Sequence, residues 1–167
     1  MPKILENPEE KIITISEKII MREGVEKVTI RKISEAARIS LGTIYNYFEN
    51  KDVIICKTIE LYWKNAIKEL DSTCYINKYF FLDALYEKIE TYQKRYQYFW
   101  KSATVHSGNR KELALSYLDE IIKKKTDFQN SGYIIQNLTA CAAWNFLTYR
   151  EFKNILKAGE KDCLQQL

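Results

Sequence analysis

The chain has 167 residues, of which 46% are hydrophobic and 29% are charged, and its formal net charge at pH 7 is +4. This composition is typical of a folded protein, and no apolar run is long enough to span a membrane. With five glycines and two prolines, the chain has few turn formers, which disfavours β-sandwiches and barrels and favours long helices. The first ten residues lack the apolar segment of a signal peptide, so we expect a cytoplasmic protein without a membrane partner.

The residue types that carry most catalytic chemistry are scarce. His106 is the single histidine, and the four cysteines are widely separated in the sequence. Neither glycine-rich phosphate-binding pattern occurs, and no cysteine spacing is typical of a zinc site. The sequence therefore predicts neither an enzyme nor a protein with a cofactor or a metal.

Four helix starts are predicted in the N-terminal third by residues that cap helices. The first helix begins after Asn7 with Pro8 in its first turn, and it ends at Gly24, where glycine tolerates a positive φ. The later caps are Thr29 for a helix to about Arg38, Ser40 for a short third helix, and Asn50 for a fourth helix that begins at Lys51.

The short third helix has an unusual pattern. Leu41, Ile44 and Phe48 share one face, while the other faces carry Gly42, Thr43, Tyr45, Asn46 and Tyr47. Two helices joined by a short turn form a helix-turn-helix, whose second helix enters the DNA major groove. Thr, Tyr and Asn side chains can reach phosphates and base edges. From spacing alone, a plain three-helix core with surface tyrosines is an equally good interpretation.

Residues 29–52 resemble the DNA-binding domain of TetR-family transcriptional regulators. The resemblance rests on the Thr-x-Arg opening at Thr29, the Ile-x-x-Ala-Ala helix from Ile33, the Ser-x-Gly-Thr-Ile-Tyr-x-Tyr-Phe segment from Ser40, and the Lys51-Asp52 pair. It implies an N-terminal helix-turn-helix domain in residues 1–50 and a helical effector-binding and dimerisation domain in residues 51–167. The implied DNA-binding residues are Thr29, Arg31, Gly42, Thr43, Tyr45, Asn46, Tyr47 and Lys51.

Within this resemblance Arg31 is a candidate base reader, and Tyr47 and Lys51 are candidate backbone contacts. The sequence departs from the family pattern at two positions. Arg38 stands in the turn where the family often has glycine, so a positive φ there would cost on the order of 1 kcal/mol. Leu41 stands where a polar or basic residue is frequent. Residues 1–52 carry nine basic and nine acidic side chains, which predicts a shallow salt dependence of DNA binding.

Beyond residue 50 the pattern predicts an all-α domain. We expect helices from Lys51 to about Asp71, from Tyr79 to about Trp100, from Arg110 to Thr126, and from the turn at Gly132 to about Ala158. Aromatic residues concentrate in this part of the chain. They form either a plain core or a ligand pocket, and the resemblance favours a pocket for a small-molecule effector. The candidate lining residues are Trp63, Tyr92, Tyr96, Phe99, Trp100 and His106.

The last predicted helix is apolar on more than one side, which indicates burial against a second body. One stripe runs from Ile135 to Leu156, and a second includes Ala140, Trp144 and Leu147. We predict a homodimer with twofold symmetry through this helix and the one before it, with two reading helices ~34–36 Å apart on a palindromic operator. The candidate interface residues are Leu118, Ile122, Leu138, Ala142, Phe146 and Tyr149.

Together these features predict a repressor that a small-molecule effector releases from its operator. The alternative is a TetR-like helical protein that binds a partner and has no operator specificity. A small enzyme that uses the aromatic cavity is a weaker alternative, because one histidine supplies little acid–base chemistry.

Overall fold

The predicted all-α class is confirmed by a computed structural model that describes residues 7–102, 108–143 and 147–164. Within these ranges there is no β-strand. The helices are α1 (Pro8–Glu23), α2 (Ile30–Ala37), α3 (Leu41–Tyr47), α4 (Lys51–Ser72), α5 (Lys78–Ser102), α6 (Gly108–Lys125), α7 (Ser131–Ala143) and α8 (Tyr149–Leu164), with a 3-10 turn at Val25–Lys27. Among the described helices, none is both long and apolar enough to cross a bilayer.

Contacts along the chain divide it into two compact units. The first unit comprises residues 1–65 and 95–110, and the second comprises residues 66–94 and 111–167. Both α4 and α5 therefore contribute residues to each unit. The domain boundary expected after residue 50 stays a prediction.

All four predicted N-caps are present in the first unit. Each cap side chain accepts a hydrogen bond from a backbone N–H in the first turn of its helix, which satisfies a donor that the helix itself cannot pair. The donor–acceptor distances are 3.2 Å for Asn7, 3.2 Å for Thr29, 3.1 Å for Ser40, and 3.0 and 3.1 Å for the two donors at Asn50. Helix α1 ends at Gly24 as predicted, and this glycine has a φ of 95°.

The core of the first unit is aliphatic around α1, α2 and α3. Contacts join α1 to α2 and α2 to α3. The buried side chains that share this core are Ile12, Ile19, Ile20, Val25, Val28, Ile33, Ala37, Ile39, Ile44 and Phe48. Because α2 and α3 each bury few residues, their remaining side chains are half-buried or exposed.

The second unit has its own core. Its buried side chains come from α4, α5, α6, α7 and α8 and include Leu70, Phe81, Leu82, Leu85, Ile89, Leu118, Ile121, Ile122, Ile134, Leu138 and Phe152. Lys153 Nζ forms an ion pair with both carboxylate oxygens of Asp83, at 2.5 and 2.6 Å, and thereby joins α8 to α5.

The single last helix expected from the sequence is wrong, because α7 ends at Ala143 and α8 begins at Tyr149. Thr148 starts α8 through a capping box. The Glu151 N–H donates to Thr148 Oγ1 at 3.2 Å, and the Thr148 N–H donates to Glu151 Oε2 at 2.8 Å. The Thr-x-x-Glu spacing was the sequence signal for this start.

Candidate nucleic-acid interface

Helix α3 is held against the first unit by few side chains and presents the rest to solvent. Ile44 is fully buried and Phe48, just after the helix, is 2% exposed. Gly42, Tyr45, Asn46 and Tyr47 are exposed, and Thr43 is half-buried. Tyr45 and Tyr47 keep 55% and 48% of their surface in solvent. The face that the sequence assigned to a duplex is therefore not packed inside the protein.

Leu41 corrects the set of residues expected to hold α3. It was predicted to share the buried face with Ile44 and Phe48, yet it is 46% exposed. Ile39, two residues earlier, is 4% exposed and fills the core instead. Leu41 is the first residue of α3, and its exposure adds an apolar side chain to the solvent-facing surface.

Ser40 makes two contacts at the start of α3. In addition to accepting the Thr43 N–H, its Oγ lies 2.8 Å from the Thr43 hydroxyl. This contact favours an orientation in which the Thr43 hydroxyl faces Ser40. A methyl group added at Gly42 would meet only Ser40 Oγ, at 3.9 Å, so glycine is not required there by the protein's own packing.

Arg38 has the conformation that its turn position was expected to demand. Its φ and ψ are 55° and 46°, in the left-handed region, and its N–H donates to the Glu35 carbonyl at 3.3 Å. The side chain is exposed. A non-glycine residue in this region carries a steric penalty between its Cβ and backbone.

Acidic side chains pair with the basic residues around the start of α2. Arg31 Nε donates to Glu35 Oε1 at 3.1 Å, one helical turn away. Glu23, at the end of α1, accepts from Lys32 at 2.7 Å and from Arg22 at 2.6 Å. The hydrogen bond from Lys32, and then that from Arg22, lower the pKa of Glu23 from 4.5 to about 2. The cations near α2 are therefore locally balanced rather than gathered in one basic patch.

Two other predicted DNA contacts lie at helix starts. Thr29 caps α2, and its Oγ1 accepts the Lys32 N–H. Lys51 is exposed at the first position of α4, beside the Asn50 cap. Free N–H groups and the helix dipole favour an anion at such positions.

The predicted ligand-binding aromatics that the structure describes are mostly core residues. Trp63, Tyr96 and Phe99 are at most 6% exposed, and Tyr92 is half-buried. The Tyr62 ring meets Trp63 and Tyr96 edge-on, with centroids 5.4 and 6.2 Å away. Burial raises the pKa of Tyr96 to about 12. The Trp100 side chain and His106 lie outside the described residues. A ligand role for this set stays a prediction.

An open cavity of about 650 Å³ lies between α6 and α7 in the second unit, and the sequence analysis did not predict it. Its lining is mostly apolar, and half of the residues from α7 are small. The lining residues are Leu115, Asp119, Gly132, Ile135, Gln136, Thr139, Ala140 and Ala143. The Gly132, Gln136, Ala140 and Ala143 spacing puts one face of α7 along this cavity.

The predicted dimer residues mostly belong to the core of the protomer. Leu118, Ile122 and Leu138 are at most 3% exposed, so they have almost no surface left for a partner. Ala142 is half-buried, and Phe146 lies outside the described residues. An apolar stripe marks a buried face without showing whether the protomer or a partner covers it, and this is why the sequence argument selected buried positions.

Tyr149, the last of the predicted interface residues, makes contacts within its own unit. Its hydroxyl donates to Asp83 at 2.5 Å, and its ring stacks on Tyr86 with centroids 4.1 Å apart and an interplanar angle of 4°. The predicted dimer interface stays a prediction.

Comparison with known proteins agrees with the helix-turn-helix geometry. Residues 12–55 match a family described as bacterial regulatory proteins, tetR family. Over 59 residues the chain is 36% identical to the HTH-type transcriptional regulator HbdR of Aromatoleum sp.. Over 68 residues it is 28% identical to an uncharacterized HTH-type transcriptional regulator of Haemophilus influenzae. These matches cover 35% and 38% of this chain but only 26% and 36% of those relatives.

A solved structure extends the likeness to nearly the whole chain. The protein resembles Thermus thermophilus FadR, a TetR-family transcriptional repressor in complex with lauroyl-CoA, with a TM-score of 0.51. The alignment covers 92% of this chain and 91% of the other, at 14% identity. At that identity the likeness establishes a shared fold.

Proposed function

We propose that this chain, whose residues 12–55 match the tetR family of bacterial regulatory proteins, is a dimeric, sequence-specific repressor that a small-molecule effector releases from DNA. One observation carries the proposal: α3 is held by Ile44 and Phe48 while its polar side chains stand in solvent. A short helix with this exposure fits the major groove of B-DNA. Such a regulator acts in the cytoplasm and needs no catalytic group.

The proposed contacts divide between base edges and backbone. Arg31, Thr43 and Tyr45 face bases together with Asn46, and Gly42 allows the helix backbone to approach the duplex closely. Thr29, Tyr47 and Lys51 contact phosphates and set the register. The exposure of Tyr45 and Tyr47 leaves both rings available for contact with DNA, since neither is needed for the protein's own core.

We assign the dimer surface to the exposed face of α6 and α7 rather than to their buried residues. The open cavity there is apolar, and Ala140 and Ala143 permit a second helix to approach closely. A second copy of the chain using the same face would bury it with twofold symmetry, and a twofold dimer matches a palindromic operator. Ala140→Glu should yield monomers in analytical ultracentrifugation, whereas Ala158→Glu, on the exposed side of α8, should leave dimers.

An effector would act through α5, which contributes residues to the first unit. Residues 95–102 of α5 belong to the same compact unit as α1, α2 and α3. Within it Tyr96 is fully buried beside Thr58 of α4, which is also fully buried. A ligand that shifts α5 would thus disturb the packing under the helix-turn-helix and lower the population of the DNA-binding conformation. Because FadR holds lauroyl-CoA, that compound is the first probe for release of DNA.

Selection of bound duplexes from a random DNA pool tests the proposal. The full-length protein should enrich a palindromic site, and its affinity for that site should exceed its affinity for random DNA by about 10³-fold or more. Recovery of unbiased sequences would favour the alternative, a TetR-like protein that binds a partner without operator specificity. Salt titration of both complexes separates sequence reading from phosphate attraction.

A further inference from the structure

The ion pair on α2 joins a candidate base reader to an acid that has no assigned role. Arg31 and Glu35 are four residues apart, and their side chains are 85% and 65% exposed. The bond uses Arg31 Nε, which lies 3.1 Å from Glu35 Oε1. Exposed pairs of this kind contribute little to folding stability. The Arg31–Glu35 pair therefore acts mainly on the direction in which the Arg31 guanidinium points.

The choice of nitrogen determines what the guanidinium can still do. Arginine reads guanine with two parallel N–H donors directed at O6 and N7. With Nε held by Glu35, the two terminal nitrogens remain together on the opposite edge of the planar group. That edge retains the paired donors that bidentate recognition needs.

We propose that Glu35 is a positioning residue that holds Arg31 by Nε and presents its terminal nitrogens for bidentate readout of one base pair. The inference rests on the proposed DNA-binding function and adds a specificity-determining residue to it. An unrestrained arginine loses rotamer freedom when it binds, and an arginine already held by a neighbour loses less.

The neighbouring charges leave Glu35 available for this task. Lys32, the other cation in the first turn of α2, pairs with Glu23 rather than with Glu35. Glu23 also forms an ion pair with Arg22. The two carboxylates thus pair with different cations. Glu23 joins α1 to α2 through Lys32, and Glu35 is directed along α2 toward Arg31.

A competing interpretation gives Glu35 the opposite effect. If the carboxylate only occupies Arg31 or repels phosphates, its removal raises the affinity for every duplex and leaves discrimination between duplexes unchanged. Positioning predicts the reverse, a loss of discrimination at one base pair. The two are separated by measuring ratios of affinities rather than single affinities.

The experiment uses the full-length protein and the duplex selected from the random pool. Arg31→Ala first identifies the base pair that Arg31 reads, as the position where discrimination falls by about 5- to 150-fold. Glu35→Ala should then lower discrimination at that same base pair by about 2- to 10-fold, the effect of ordering one long side chain on binding. Glu35→Gln, whose amide oxygen can still accept from Nε, should recover part of the loss.

Two controls isolate the coupling. Glu49→Gln removes one exposed negative charge just beyond α3, and it should change affinity for all duplexes alike without changing discrimination. In an Arg31→Ala background, Glu35→Ala should have no further effect on discrimination, because its only route is through Arg31. Circular dichroism checks that each variant remains folded.

Two results overturn the inference while leaving the proposed function intact. One is unchanged discrimination in Glu35→Ala when Arg31→Ala has lost it, and the other is additivity of the two substitutions. Absence of any sequence preference in the wild-type protein would instead overturn the proposed function itself.

Discussion

Ser40 and Thr43 make two contacts at the start of α3: the Thr43 N–H donates to Ser40 Oγ at 3.1 Å, and their hydroxyl oxygens lie 2.8 Å apart. The first contact pairs a backbone donor that the helix leaves open. The second orients the Thr43 hydroxyl on the exposed surface. One serine therefore contributes to both the formation of α3 and the arrangement of its proposed reading face.

Ser40→Ala should destabilise the protein by about 1 kcal/mol, because it removes the N-cap of α3. It should also weaken binding to the selected duplex by more than the loss of folded protein explains, since Thr43 is released. Urea denaturation and fluorescence anisotropy measure the two effects. Ser72→Ala, at the end of α4, is the matched control because its hydroxyl donates to the Glu69 carbonyl and caps no helix start. Equal stability of the Ser40→Ala variant and the wild type would contradict the cap assignment.

Arg38→Gly should stabilise the protein by about 0.5–1 kcal/mol. Glycine relieves the steric penalty at φ 55°, although it gives back part of the gain through greater freedom of the unfolded chain. Arg38→Ala keeps the Cβ and removes the charge, so it should give no such gain. Thermal denaturation compares the three proteins. Equal gains from alanine and glycine would attribute the effect to charge instead of backbone strain.

Glu23 should make stability depend on pH below 4.5. Hydrogen bonds from Lys32 and Arg22 hold its folded-state pKa at about 2, against an ordinary 4.5. Because the folded pKa is depressed, the contribution is fully present above pH 4.5 and is lost as pH falls toward 2. The difference in unfolding free energy between wild type and Glu23→Gln should therefore be constant at higher pH and shrink through this window. A difference that stays constant down to pH 2 would refute the ion-pair account.

Tyr149→Phe should cost about 1 kcal/mol, because it removes the hydroxyl that donates to Asp83 and keeps the ring stacked on Tyr86. Burial raises the pKa of Tyr149, so its hydroxyl remains a donor at all ordinary pH values. Tyr133→Phe is the control, because this ring is 47% exposed and does not line the α6–α7 cavity, and it should be neutral within about 0.5 kcal/mol. Equal costs for the two variants in urea denaturation would show that the Asp83 contact does not stabilise the second unit.

Features set by local chemistry were predictable from the sequence. The caps at Asn7, Thr29, Ser40 and Asn50 require only one side-chain oxygen and a nearby N–H. The exposed polar face of α3 followed from spacing and from the family resemblance. Arg38 was recognised as a departure because the family often has glycine at this turn position, and glycine adopts a positive φ most readily.

Features set by tertiary packing were not predictable in the same way. An apolar stripe indicates that a face is buried but not whether the protomer or a partner covers it. Leu118, Ile122 and Leu138 were therefore predicted at a dimer interface, whereas the protomer already buries them. Leu41 fits the helical spacing, yet Ile39 in the preceding turn fills the core. The break before α8 is different, because it could have been predicted from the sequence. Thr148 and Glu151 have the spacing of a capping box.

The proposal that the exposed face of α3 reads the DNA sequence is tested most directly by one ratio. This is the affinity for the selected duplex divided by the affinity for a scrambled duplex. Tyr45→Ala removes a ring that is 55% exposed on this face, and Phe80→Ala removes a ring that is 52% exposed in the second unit. We predict that Phe80→Ala keeps the wild-type ratio and that Tyr45→Ala lowers it at least fivefold, or about 1 kcal/mol. A wild-type ratio in Tyr45→Ala would contradict the assignment of α3.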